Sequence, residues 1–182
     1  FSNGVLRASR SLVDNMHVIS KVYFPRMILP LASVLAGVVD FLIAFVILIG
    51  MMVYYRVSPT PAVWTLPLFL LLTIVTALGV GLWLSALNVI YRDVNYIIPF
   101  LTQFWLFATP VAYSASVISE QWQILYSLNP MAGVVNGFRW ALLGTGNGPD
   151  ITLWVSVGIS ILIFISGLFY FRSMEKTFAD TI

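Results

Sequence analysis

The sequence predicts an all-α integral membrane protein, and three observations carry that reading. Of 182 residues, 60% are hydrophobic and 9% charged, with a mean hydropathy of +0.96, whereas soluble domains carry about 25% charged residues. Four apolar runs, Met27 to Tyr55, Trp64 to Val89, Ile97 to Tyr113 and Ile151 to Phe171, approach the roughly 20 residues a helix needs to cross a bilayer. The breaks between the runs hold proline or charge: Arg56 to Pro61, the Tyr91-Arg92-Asp93-Val94-Asn95 turn, and a longer segment from Ser114 to Asp150.

In chain order, FSNGVLRASRSLVDN is expected to be the end of a helix whose beginning is absent, so the chain is read as a fragment. The next segment, SLVDNMHVISKVYFPR, sets Leu12, Met16, Ile19 and Tyr23 at helical spacing, with Asp14, Asn15, Ser20 and Lys21 on other faces. This suits a short interfacial helix. Pro25 and Pro30 flank Arg26 and are expected to break the pattern, setting that helix at an angle to the first complete span. Four complete spans follow.

The Ser114 to Asp150 segment is too apolar for a plain loop. Its two halves, split at Asn129-Pro130, are each too short to span, which suggests a pair of short re-entrant or interfacial helices before the last span. Gly144 to Pro149 then demands a turn. Counting basic residues on alternate sides of the runs places Arg7, Arg10, Lys21, Arg26, Arg92, Arg172 and Lys176 on one face, with Arg56 and Arg139 on the other. Seven against two makes the first face cytoplasmic, together with the visible start and the C-terminus.

Composition also excludes chemistries. With no cysteine and one histidine, His17, the chain offers no thiolate nucleophile and no multi-His metal centre. A net charge of +2 and a pI near 9.1 are too modest for a nucleic-acid partner. There is no Walker-type phosphate loop, no GxSxG and no carboxylate pair on one intramembrane face, so no catalytic residue is assigned.

Three features remain to be weighed. Asp40 is the acidic residue well inside a span, where a charge is by default a functional hypothesis; it either faces a helix interface or water-filled route, hydrogen-bonded there, or takes part in passage of a substrate or proton. Arg92 and Asp93 are either a helix-end charge pair or a gate that feels a bound partner. Tyr54, Tyr55, Trp64, Trp154 and Tyr170 fit an interfacial aromatic belt. Phe104, Trp105, Phe107, Tyr113, Trp122 and Tyr126 cluster elsewhere, around the outer end of the third run; lipid packing explains them, and so does a sliding polysaccharide stacking on flat apolar rings.

The stretches NMHVISKVYFPRMILPLASVLAGVVDF, LNVIYRDVNYIIPFLTQFWLFATPVAYS and YSLNPMAGVVNGFRWALLG resemble, in this order, the transmembrane permease of bacterial polysaccharide ABC exporters, the O-antigen, capsule and teichoic-acid group. The resemblance covers essentially the whole chain. It implies a single permease domain over residues 1–182, with an N-terminal amphipathic helix, the first span and most of the second missing from this fragment. It implies a homodimer with two ABC ATPase subunits that bind ATP and Mg, so this chain needs no cofactor and catalyses nothing.

By the same resemblance Asp14, Asn15, Met16, His17, Val18, Ile19, Lys21 and Tyr23 belong to a coupling helix docked on the ATPase. Phe24, Arg26, Tyr91, Arg92 and Asp93 would sit at a cytoplasmic entrance. Asp40, Phe104, Trp105, Phe107, Tyr113, Trp122 and Tyr126 would lie along the path of a lipid-linked glycan through the inner membrane. Alternatives are a same-fold exporter of a drug or another lipid, a membrane glycosyl- or acyltransferase using Asp40 or His17, and a scaffold protein.

Overall fold

A computed structural model describes residues 1–19, 21, 24–111, 128–145, 148 and 150–175. Among the described residues there are helices and no strands: α1 (Ser2–Asp14), α2 (Met16–Ile19), α3 (Ile28–Tyr54), a 3-10 turn (Pro61–Thr65), α4 (Leu66–Ile90), α5 (Val94–Ala108), α6 (Pro130–Leu143) and α7 (Ile151–Glu175). Three of them, Ile28–Tyr54, Pro61–Ile90 and Ile151–Glu175, are long and apolar enough to cross a membrane. The chain is a multi-pass, all-α membrane protein.

Helix α1 is amphipathic, with Asn3, Arg7, Arg10 and Asp14 along one side at spacings of three and four, and Val5, Ala8 and Leu12 along the other. The apolar side is completely covered: Val5, Ala8 and Leu12 are at most 1% exposed. It packs against α3, α4 and α5, while α4 touches every other long helix and is the centre of the bundle.

Lipid tails are as apolar as leucine, so helices in a membrane associate through close packing and hydrogen bonds instead of the hydrophobic effect. The seam of α4 and α7 is built that way. A Cβ added at Gly79 would lie 2.7 Å from the Phe164 Cα, and one at Gly167 would strike the Gly79 carbonyl. Thr76 Oγ1 donates to Ser160 Oγ at 2.9 Å and Trp83 Nε1 to Ser166 Oγ at 3.1 Å. The Trp83 ring stacks on Tyr170 with centroids 4.2 Å apart and planes 7° from parallel. Across the bundle, a Cβ at Gly81 would come within 2.9 Å of the Ala8 Cβ, and Asn88 Nδ2 donates to the Ser9 carbonyl at 3.0 Å.

These contacts give the bundle two ends. At one, Leu12, Ile19, Leu82, Ala86, Val89 and Phe171 form a cluster, and Arg26 Nη1 donates to the Glu175 carbonyl at 2.9 Å. At the other, Leu66, Phe69 and Leu72 of α4 meet Met131, Val134, Ala141 and Leu142 of α6. Thr60 fastens this second end: its hydroxyl donates to the Ala141 carbonyl at 2.7 Å and accepts from Ala62 N at 3.3 Å. Helix α6 stops there at Gly144, whose φ of 68° is a left-handed cap that a side chain would strain.

Several expectations shift. The third run, expected to span from Ile97 to Tyr113, is helical only from Val94 to Ala108; its 15 residues reach about 22 Å, short of a hydrocarbon core about 30 Å thick. Thr109, at φ −105° and ψ 137°, stops it, because the residue before Pro110 is driven out of the helical region. Pro30 does not break α3 but sits in its first turn, where N–H groups lack intrahelical partners anyway. The interfacial helix is one turn, Met16–Ile19, and Leu12 belongs to α1. Of the pair of short helices, the second is α6; the first falls outside the described residues.

Candidate functional site

Helix α5 rises from the exposed turn Tyr91, Arg92 and Asp93, whose carbonyls accept from Val94, Asn95 and Tyr96 N at 3.0, 3.2 and 3.0 Å. Its inward side holds Ile98, 0% exposed, and Thr102, 8% exposed. Its outward side holds Tyr96, Phe100, Phe104 and Phe107, from 62% to 82% exposed. Spacings of four, four and three keep these rings on one helical face. The exposed face of α3 is different in kind, with Leu35, Val39, Ile43, Val46 and Ile47.

Phe104, Trp105 and Phe107 are expected on one path; the helix keeps Phe104 and Phe107 on one face and turns Trp105 toward the cleft that Asp40 also lines. Trp105 is turned inward, its ring 5.4 Å from Phe1 and its Nε1 donating to Asn129 Oδ1 at 2.9 Å. Tyr96 and Phe100, which share the face of Phe104, were not singled out, although the same four-residue spacing marks them. Tyr113, Trp122 and Tyr126 lie outside the described residues.

Asp40 has a partner that its own helix does not supply. Arg7 of α1 reaches it at 3.3 Å, with the two side chains 53% and 51% exposed. Since Asp40 is at the middle of α3, Arg7 lies at that depth too and is no signal of the cytoplasmic face; the charge count becomes six against two. The signal that could have found the pair was the polar stripe of α1 opposite Val5, Ala8 and Leu12.

Asp40 borders a cleft. One part, about 400 Å3, is walled by Asn3, Asp40, Trp105, Thr109 and Val111 among others. It adjoins an apolar part of about 220 Å3 between α3, α4 and α6, with Phe1, Gly4, Gly37, Phe41, Met131 and Val135 common to both. Polar groups on one side and an apolar recess on the other suit an amphipathic molecule.

At the bundle end formed by α2, Asp14, His17, Val18 and Lys21 are exposed, whereas Ile19 is buried in the cluster with Leu12 and Phe171. Asn15 Nδ2 donates to the Ser11 carbonyl at 2.8 Å and closes α1. Met16 is half-buried. Phe24 packs onto the same cluster, and Arg26 holds the start of α3 to the end of α7. Tyr91, Arg92 and Asp93 stand open beside them. Tyr23 is outside the described residues.

Residues 6–143 match a family model described as ABC-2 type transporter. A Klebsiella pneumoniae protein named O-antigen export system permease protein RfbA is 25% identical over 184 residues, covering all of this chain and 70% of that protein. A Myxococcus xanthus protein of the same name is 27% identical over 185 residues, covering all of this chain and 71% of its own length. With apolar spanning helices, a charged turn at one end and a family match over most of its length, this chain belongs to the ABC-2 type transporter family.

Proposed function

We propose that this chain is the membrane-spanning subunit of an ATP-driven exporter that moves a lipid-linked polysaccharide across the cytoplasmic membrane. Two copies form the channel, and two ATPase subunits on the cytoplasmic side bind ATP and Mg and hydrolyse the nucleotide. The likeness to O-antigen export permeases supports the cargo, and the aromatic stripe of α5 carries the reading. Interfacial belts place aromatic rings near helix ends, yet Tyr96, Phe100, Phe104 and Phe107 run the length of α5. A face meant for lipid alone would resemble the aliphatic face of α3. Ring faces bind sugars by stacking and leave hydroxyl patterns unread, which suits a polymer that must slide.

The end holding α2 and the Tyr91-Arg92-Asp93 turn faces the cytoplasm, on the basic-residue count. Asp14, Asn15, Met16, His17, Val18 and Lys21, with Tyr23, dock on the ATPase, and Ile19 anchors that segment to the bundle. The cleft beside Arg7 and Asp40 is a second contact for cargo, its polar wall suited to sugar or phosphate and its apolar recess to a lipid chain. Replacing Phe104 and Phe107 together with Ala is expected to lower surface glycan at least tenfold in cells while the ATPase still co-purifies. Wild-type glycan levels in that variant would remove the stripe from the path.

A further inference from the structure

Helix α5 stops and α6 starts inside the bundle. The last carbonyls of one helix and the first N–H groups of the other have no intrahelical partner, and a membrane interior supplies no water to satisfy them. One side chain bonds to both ends. Asn129 Nδ2 donates to the Ala108 carbonyl at 2.9 Å and to Thr109 Oγ1 at 3.1 Å. Its Oδ1 accepts from Met131 N at 3.1 Å and from Trp105 Nε1 at 2.9 Å.

An asparagine amide has two donor hydrogens and two acceptor lone pairs, and all four are used, three toward α5 and its cap and one toward α6. The backbone adds to this, with Ala132 N donating to the Asn129 carbonyl at 3.0 Å. Thr109 Oγ1 in turn donates to the Trp105 carbonyl at 2.8 Å. A second tie runs from Arg139 Nη2 on α6 to the Val111 carbonyl at 2.9 Å.

We infer that Asn129 is the joint that makes α5 and α6 one moving body, so that a displacement of the Tyr91-Arg92-Asp93 turn at one end of α5 arrives at α6. Asn129 is a positioning residue. The inference rests on the proposed reading that the turn faces the ATPase.

Residues 1–182 hold no cysteine, so in a permease and ATPase otherwise freed of cysteine each introduced one takes the spin label. In the permease reconstituted with its ATPase, Ile97→Cys on α5 is paired with Leu143→Cys on α6 or with Val46→Cys on α3; all three positions are exposed. On adding ATP, the α5 to α3 separation is expected to change while the α5 to α6 separation stays constant. Asn129→Ala is expected to broaden the α5 to α6 distances and to lower export at least tenfold. Asn129→Asp, which keeps both acceptors and loses both donors, falls between.

An α5 to α6 separation that shifts with ATP in the otherwise unchanged permease overturns the joint, as does an Asn129→Ala variant with unaltered distances and export. The first readout decides the matter even if Asn129→Ala fails to assemble. An α5 to α3 separation indifferent to ATP overturns the transmission, and it leaves the aromatic path to be judged by the Phe104 and Phe107 variants alone.

Discussion

Gly79→Leu is expected to abolish the folded bundle. A Cβ there would sit 2.7 Å from both the Cα and the N of Phe164, which are backbone atoms that cannot turn aside. Overpacking in an interior typically costs about 1–3 kcal/mol when side chains can adjust; here two helices must separate. Separation forfeits the Thr76–Ser160 and Trp83–Ser166 hydrogen bonds and the Trp83–Tyr170 stack along the same seam. No hydrophobic term offsets the loss, because the freed surfaces meet lipid.

Gly50→Leu is the matched control. A Cβ at Gly50 meets nothing within 4 Å, and replacing a mid-helix glycine with a better helix former gains up to about 0.8 kcal/mol. In detergent, Gly50→Leu should elute and melt like the parent protein. Gly79→Leu should give no monodisperse peak, and a normal melt from it would refute the seam.

The Arg7–Asp40 pair supplies the second large effect. A lone charge at the centre of a span costs roughly 2.5–3.5 kcal/mol on insertion scales, so Asp40→Leu, which strands Arg7, should lower folded yield severely. Arg7→Leu should do the same by stranding Asp40. Replacing both with leucine removes both charges, and an ion pair exchanged for apolar residues is often neutral for stability. The double variant should therefore recover most of the yield, with a coupling of about 1–3 kcal/mol between the sites. Export separates structure from passage. If the pair forms part of the cargo path, the double variant folds and still exports poorly; full export would reduce the pair to a helix fastener.

The helices were legible because their signals are local. Long apolar runs bounded by proline and charge gave α3, α4 and α7 to within a few residues, and the split at Asn129-Pro130 marked the start of α6, where an Asn cap followed by Pro at the first helical position is a familiar start signal. What was not legible required knowing which helices touch. Asp40 had no partner on its own helix, and Arg7, more than 30 residues upstream, counted as a surface charge until α1 was placed beside α3.

Trp105 and Phe104 are adjacent in sequence and looked alike, yet one step along a helix turns a side chain by about 100°. That turn sends Trp105 to Asn129 and leaves Phe104 outside. The length of α5 depended on Thr109 and Pro110, a stop signal that the apolar character of the run concealed. Ile19 carried the same periodicity as Met16, but only the position of Phe171 and Leu82 made it an anchor.

Movement of a lipid-linked polysaccharide along the aromatic face of α5, driven by ATP, is the function proposed for this permease. It is tested most directly by reconstituting the permease with its ATPase in vesicles, supplying lipid-linked glycan on the ATPase side, and measuring glycan that becomes protected inside. ATP-dependent accumulation that falls at least tenfold with Phe104→Ala and Phe107→Ala is the predicted result. Glycan that stays on the supplied side with ATP present, while the ATPase turns over at a rate indifferent to it, would rule that function out.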